Sequence, residues 1–124
     1  MRRPETTIAK FDVHVLQRRV NNVARRQDGL SISVHAREKM AELELTFREV
    51  YTIFREGVID ENGRFQKTKQ GDEFRFRIDR VVDSRPLAAI AVIAPAVDSD
   101  IFVITVMEVL TSEEEDGNDE NRST

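Results

Sequence analysis

At 124 residues, with 40% hydrophobic and 34% charged side chains, the chain is one domain's worth of globular polypeptide, able to build a single core without staples. It has no cysteine, which excludes a disulfide framework and any thiolate metal site and fits a reducing cytosol. The net charge of −4 is unevenly placed: the last fourteen residues, TSEEEDGNDENRST, hold six acids against one arginine, so the preceding part is near neutral.

The opening MRRPETTIAKFDVHVLQRR lacks an apolar run of signal-peptide length, and no later stretch approaches a membrane span. The expectation is a cytoplasmic protein with no membrane association. Residues 1–30 read as an N-terminal segment built on an amphipathic basic helix over 11–27. Val13, Leu16, Val20, Val23 and Ala24 line one face of it. Arg18, Arg19, Arg25 and Arg26 fall on the other side, around Asn22, and Gly29 is the stop. Phe11, Val13 and Val15 alternate in a way that also suits a short strand. His14, on the basic side, is expected at the surface.

Ser33 is a plausible N-cap for a second helix over 34–43. The run TFRE at 46–49 is a capping box opening a third helix, with Phe47, Val50, Ile53 and Phe54 as its apolar stripe and Gly57 just past its end. Leu43 and Leu45 are expected to turn inward at the corner between the two. Tyr51 lies beside the stripe in what should be a half-buried position.

After Gly57 the period changes to 2. GRFQKTKQ leads through Gly71-Asp72 into EFRFRIDRVV, where Phe74, Phe76 and Ile78 alternate with Arg75, Arg77 and Asp79, predicting a strand with one wet face. PLAAIAVIA (86–94) is apolar on both faces and predicts a central strand; IFVITVMEVL (101–110) predicts a further buried one. The short connections favour sequential antiparallel neighbours. The fold class is therefore α+β, with two or three N-terminal helices packed on one face of a three- to four-stranded antiparallel meander. Residues 111–124 read as a disordered acidic tail.

HAREKM, then LTFREVYTIFREG, then RFRI, RPLAAIAVIA and IFVITVMEV together resemble the bacterial domain-of-unknown-function family 4258 over about residues 31–110. That family has a His-Ala-x-x-Arg-Met signature opening a short helix, an Arg-Gly-Ile corner, a helix ending in Gly, and a β-meander. It is similar in order of elements to RelE-like ribonuclease toxins and related nucleases of bacterial conflict systems. The resemblance implies a RelE-like domain over 31–110 whose surface could hold RNA. Two positions depart from it. Lys39 stands where the family carries the signature arginine, keeping the charge without the bidentate fork, and Leu43-Glu44 stands where it carries Arg-Gly.

Two functional readings stay open. The first is a toxin-like RNA-binding domain, with or without RNA cleavage; as an enzyme it would be a metal-independent endoribonuclease. His35 would then be the acid/base and Arg37 its catalytic partner, because histidine titrates near neutrality and a guanidinium can stabilise charge on phosphorus. Lys39, Arg75, Arg77, Arg85, Arg18 and Arg25 would hold phosphate. The second is a non-catalytic protein-interaction module of the same fold, pairing with an antitoxin-like partner, with a second copy or as an accessory factor. It makes His35 a structural residue at a helix N-terminus and the arginine rows solvated faces. Two distant histidines and no cysteine give no metal-ligand cluster, and no motif implies a cofactor.

Overall fold

The computed structural model describes residues 12–60, 64–69, 71–95 and 100–109. The acidic tail, the Phe11 end of the first helix and residues 96–99 between the last two expected strands lie outside the described residues.

Helix α1 spans Val13–Val23 and is capped by Asp12, whose carboxylate accepts from the amides of His14 and Val15. Helical geometry at Val13 resolves the strand-or-helix ambiguity there. The helix is shorter than the 11–27 pattern. It closes at Ala24, whose carbonyl accepts from Arg55 Nε at 2.9 Å, so a side chain takes a bond that further helix would have used. Strand β1, Leu30–Ile32, follows.

Helix α2, Val34–Leu43, starts at Ser33 as expected. The Ser33 hydroxyl accepts from the Ala36 amide and donates to the carbonyl of Ile104. The helix ends in a Schellman motif: the Leu45 amide donates to Met40 O and the Glu44 amide to Ala41 O. Glu44 is left-handed, with φ 58° and ψ 48°. Leu45 is buried and Leu43 half-buried at this corner. Helix α3, Phe47–Glu56, carries both arms of the capping box between Thr46 and Glu49. Val50, Ile53 and Phe54 are fully buried, but Phe47 is 50% exposed and stands outside the stripe the pattern gave it.

Strands β2 (Val58–Ile59), β3 (Arg64–Thr68), β4 (Gly71–Val82), β5 (Arg85–Ile93) and β6 (Ile101–Glu108) complete the chain. The sheet runs β1-β6-β5-β4-β2, with β3 also on β4. The β4–β5 and β5–β6 pairs are antiparallel, as the short connections required. The sheet nonetheless has six strands rather than three or four, and it is mixed, because β1 pairs with β6 in parallel. Strands of three and two residues are too short to show a period of 2, which is why β1 and β2 escape pattern reading. A bulge opposite the Ile90–Ala91 step gives β6 one extra residue, Ile104, and the Ser33 hydroxyl takes its carbonyl.

All three helices cover one face of the sheet. Leu16, Val20, Val23 and Ala24 of α1 share a single core with Ala36, Met40, Val50, Ile53 and Phe54 and with Phe76, Ile78, Leu87, Ala89, Ala91, Ile93, Ile101, Val103 and Val106. Phe54 and Phe76 meet edge to face at its centre, ring centroids 6.3 Å apart. No helix among the described residues is long and apolar enough to cross a membrane.

Candidate nucleic-acid interface

Between Val13 and Gln27 the chain has four arginines and no acid. Arg18 and Arg19 lie on α1, outside its apolar stripe, and Arg25 and Arg26 follow in the turn just past its end. Arg19 and Arg26, beside the buried stripe, reach across to the β5–β6 end of the sheet. Arg19 donates to Ala94 O at 2.8 Å, and Arg26 pairs with Asp100 at 2.9 Å. With Asn22 and Val23 they line an open cavity of about 350 Å³. Arg25 touches the Asn22 side-chain oxygen at 3.2 Å, and Arg18 is exposed with no partner among the described residues.

The face continues past the end of α1. Arg55 Nε is bonded to Ala24 O, and the Arg55 guanidinium lies over the Tyr51 ring, 5.2 Å from its centroid. Tyr51 is half-buried, as expected, and its hydroxyl is fixed by the Gln27 carbonyl and the Leu30 amide. One turn earlier on α3, Phe47 lies under the guanidinium of Arg37, 5.5 Å from the ring centroid, while Arg37 Nε donates to Ile32 O. Phe47, Tyr51 and Arg55 are spaced i, i+4, i+8, so they share one flank of α3. The acids Glu49 and Glu56 fall on the opposite flank, engaged with Thr46 and with Arg80.

The remaining candidates do not converge. His35 is exposed on the first turn of α2. Residues two apart on a helix point to different sides, so His35 shares its side with Lys39 and Glu42 while Arg37 reaches toward α3. Lys39 pairs with Glu42 at 3.4 Å. The sheet stands between this helix and Arg75 and Arg77, which with Asp79 lie on the strand face opposite the buried Phe76 and Ile78, as the alternation required. Arg77 grips Asp79 with two bonds of 2.9 Å; Arg75 is exposed. Arg85 serves the fold: its Nη2 donates to Leu43 O at the end of α2 and to the Glu108 carboxylate, both at 2.8 Å. That hydrogen bond to Glu108 raises the Arg85 guanidinium above its ordinary range. His14 is exposed on α1.

Sequence reasoning missed the aromatic members of this surface, Phe47 and Tyr51, and with them Arg55. The signal was present as the Phe-x-x-x-Tyr-x-x-x-Arg spacing of α3, masked by assigning Phe47 to the core. Among the described residues no group of three or more histidines, aspartates and glutamates is placed to hold a metal ion. Set beside family models, curated proteins and solved structures, the chain matches none of them.

Proposed function

We propose that this chain is a small RelE-like RNA-binding domain that holds RNA through its helical layer and does not cleave it. The observation that carries this reading is the run of four arginines with no acid among them over α1 and the turn after it, Arg18, Arg19, Arg25 and Arg26, of which Arg19 and Arg26 line the cavity at Asn22. A phosphate backbone is the natural ligand of such a face, because each contact releases a condensed counterion. Two features speak for the non-catalytic form: His35 and Arg37 diverge on α2, and the sheet arginines lie behind the sheet from both. General acid–base chemistry needs its groups within hydrogen-bond reach of one phosphate. The family resemblance draws support from Glu44, left-handed at the position where that family carries a glycine.

The test is equilibrium binding of a labelled RNA at several salt concentrations. A Kd in the micromolar range near physiological salt is expected, with affinity falling steeply as salt rises. The double variant Arg18→Ala/Arg25→Ala should flatten the log–log salt slope by roughly 1.4 on single-stranded RNA, at about 0.7 per phosphate contact. No binding, or an unchanged slope in the variant, sinks the reading.

A second reading has its own observation. The sheet face turned away from the helices exposes Val58, Val81 and Phe102, which suits a protein-interaction module pairing with a partner or with a second copy. A dimer in sedimentation that Phe102→Glu dissociates would favour it.

A further inference from the structure

We infer that the flank of α3 is a stacking platform for a single-stranded nucleic acid, with bases laid against the Arg37–Phe47 and Tyr51–Arg55 pairs and the strand running on toward Arg25 and Arg18. The inference rests on the RNA-binding reading above and names the form of ligand it takes.

The two pairs are built alike. In each, a guanidinium lies over an aromatic ring, at 5.5 Å for Arg37 on Phe47 and 5.2 Å for Arg55 on Tyr51. In each, Nε is spent on a backbone carbonyl, Ile32 O for Arg37 and Ala24 O for Arg55. The terminal nitrogens of both arginines have no partner among the described residues. An arginine held this way has lost its rotamer freedom before any ligand arrives, and it offers a flat cation with its outer donors open. A solvated arginine row needs none of this anchoring.

The spacing fits a strand rather than a duplex. Phe47 and Tyr51 stand one helical turn apart, with Cβ atoms about 5–6 Å from one another, a separation that neighbouring nucleotides of one extended strand can match. Bases inside a duplex keep their faces covered and cannot reach a ring. Unpaired bases can, and stacking on aromatic or guanidinium planes is how sequence-tolerant single-strand sites gain affinity. Phe47 is 50% exposed. The path onward is continuous, since Arg55 touches the residue that closes α1 and Arg25 is next in the chain. Charge complementarity selects the occupant: along this line the cations are Arg37, Arg55, Arg25 and Arg18, and the α3 acids face away.

The experiment measures binding of the full chain to labelled twelve-nucleotide single strands of RNA and of DNA, to a duplex of equal length, and to an acidic peptide. Phe47→Ala and Arg37→Gln are compared with wild type, each checked for an unchanged circular-dichroism spectrum. Phe47→Ala should weaken single-strand binding by roughly five- to a hundredfold with the salt slope unchanged, because it removes a stacking surface and no charge. Phe47→Tyr should restore the affinity. Arg37→Gln should weaken binding and also flatten the slope by about 0.7. The RNA and DNA arms decide whether the strand's sugar is read. Equal affinity for duplex and single strand, or a Phe47→Ala variant that binds as wild type, overturns the platform; if Arg18→Ala/Arg25→Ala still weakens binding, the RNA-binding reading survives that result. Capture of the acidic peptide alone overturns both.

Discussion

Gln17 on α1 closes a two-sided clasp on the chain at Gly57: its Nε2 donates to Gly57 O at 2.6 Å, and its Oε1 accepts from the Ile59 amide at 2.7 Å. A side-chain amide here does what a neighbouring strand would do, satisfying the edge of β2. Asn21, one turn on, repeats the device by donating to Phe54 O at 2.7 Å. The two amides dock α1, and with it the arginine face, at a fixed angle on α3 and β2.

Gln17→Ala should therefore cost about 1–3 kcal/mol, since it leaves a carbonyl and an amide without their partners in a part-buried site. Urea unfolding reads this as a lower midpoint at an unchanged slope. A midpoint equal to wild type would show that water replaces the clasp at no cost.

What was legible in the sequence follows from range. The capping box at Thr46 and Glu49, the Ser33 cap and the alternation of Phe74 to Asp79 are local, and local chemistry fixes each of them. The central strand over residues 86–94 was legible because a strand apolar on both faces must lie inside a sheet. The Gln17 clasp spans about forty residues, and the parallel pairing of Leu30–Ile32 with Ile101–Val103 joins segments about seventy residues apart. No local pattern encodes either one. For the candidate site, periodicity over 11–27 put four arginines on one helix, of which the structure keeps Arg18 and Arg19 on α1 and leaves Arg25 and Arg26 in the turn after it; the divergence of His35 from Arg37 was readable from their spacing of two. The Arg37–Phe47 contact was not, because it depends on Arg37 arriving from another helix.

Gly57 tests a different point. Its φ of −76° is open to any residue, so conformational freedom is not what it supplies. A Cβ there would meet Asp79 O and Ile78 Cγ1, each at 2.8 Å, and would run into the Ile53 carbonyl. Gly57→Ala should cost about 1–3 kcal/mol through overpacking between α3 and β4, measured as a fall in thermal midpoint.

Glu44 should respond in the opposite sense. It sits left-handed at the C′ position of the α2 Schellman motif, where an L side chain costs roughly 1–2 kcal/mol and glycine costs little. Glu44→Gly should stabilise the chain by about 0.5–1 kcal/mol once glycine's extra unfolded-state freedom is set against that relief. A variant less stable than wild type would mean that the Glu44 charge near Arg85 matters more than the backbone does.

Arg85 separates a structural cation from a binding one. It caps the last turn of α2 through Leu43 O and pairs with Glu108 at the end of β6, so it ties the helix layer to two strands. Arg85→Leu should lower the urea midpoint, and by less than the loss of a buried pair would, because both side chains are partly exposed. RNA affinity and its salt slope should stay as in wild type. A flattened slope at unchanged stability would move Arg85 into the interface.

His35 carries the remaining question of catalysis. It is exposed on the first turn of α2, two residues from an arginine that points elsewhere and with the sheet between it and Arg75 and Arg77. A lone histidine without a second group within reach of the same phosphate lacks half of a general acid–base pair. His35→Ala should therefore leave stability within about 0.5 kcal/mol, as surface substitutions do, and leave RNA binding unchanged. Wild-type protein incubated with long single-stranded RNA, with chelator present, should return it intact. Fragments ending in 2′,3′-cyclic phosphate, produced by wild type and lost in His35→Ala, would restore the catalytic reading, because only a base acting on the 2′-hydroxyl leaves that end.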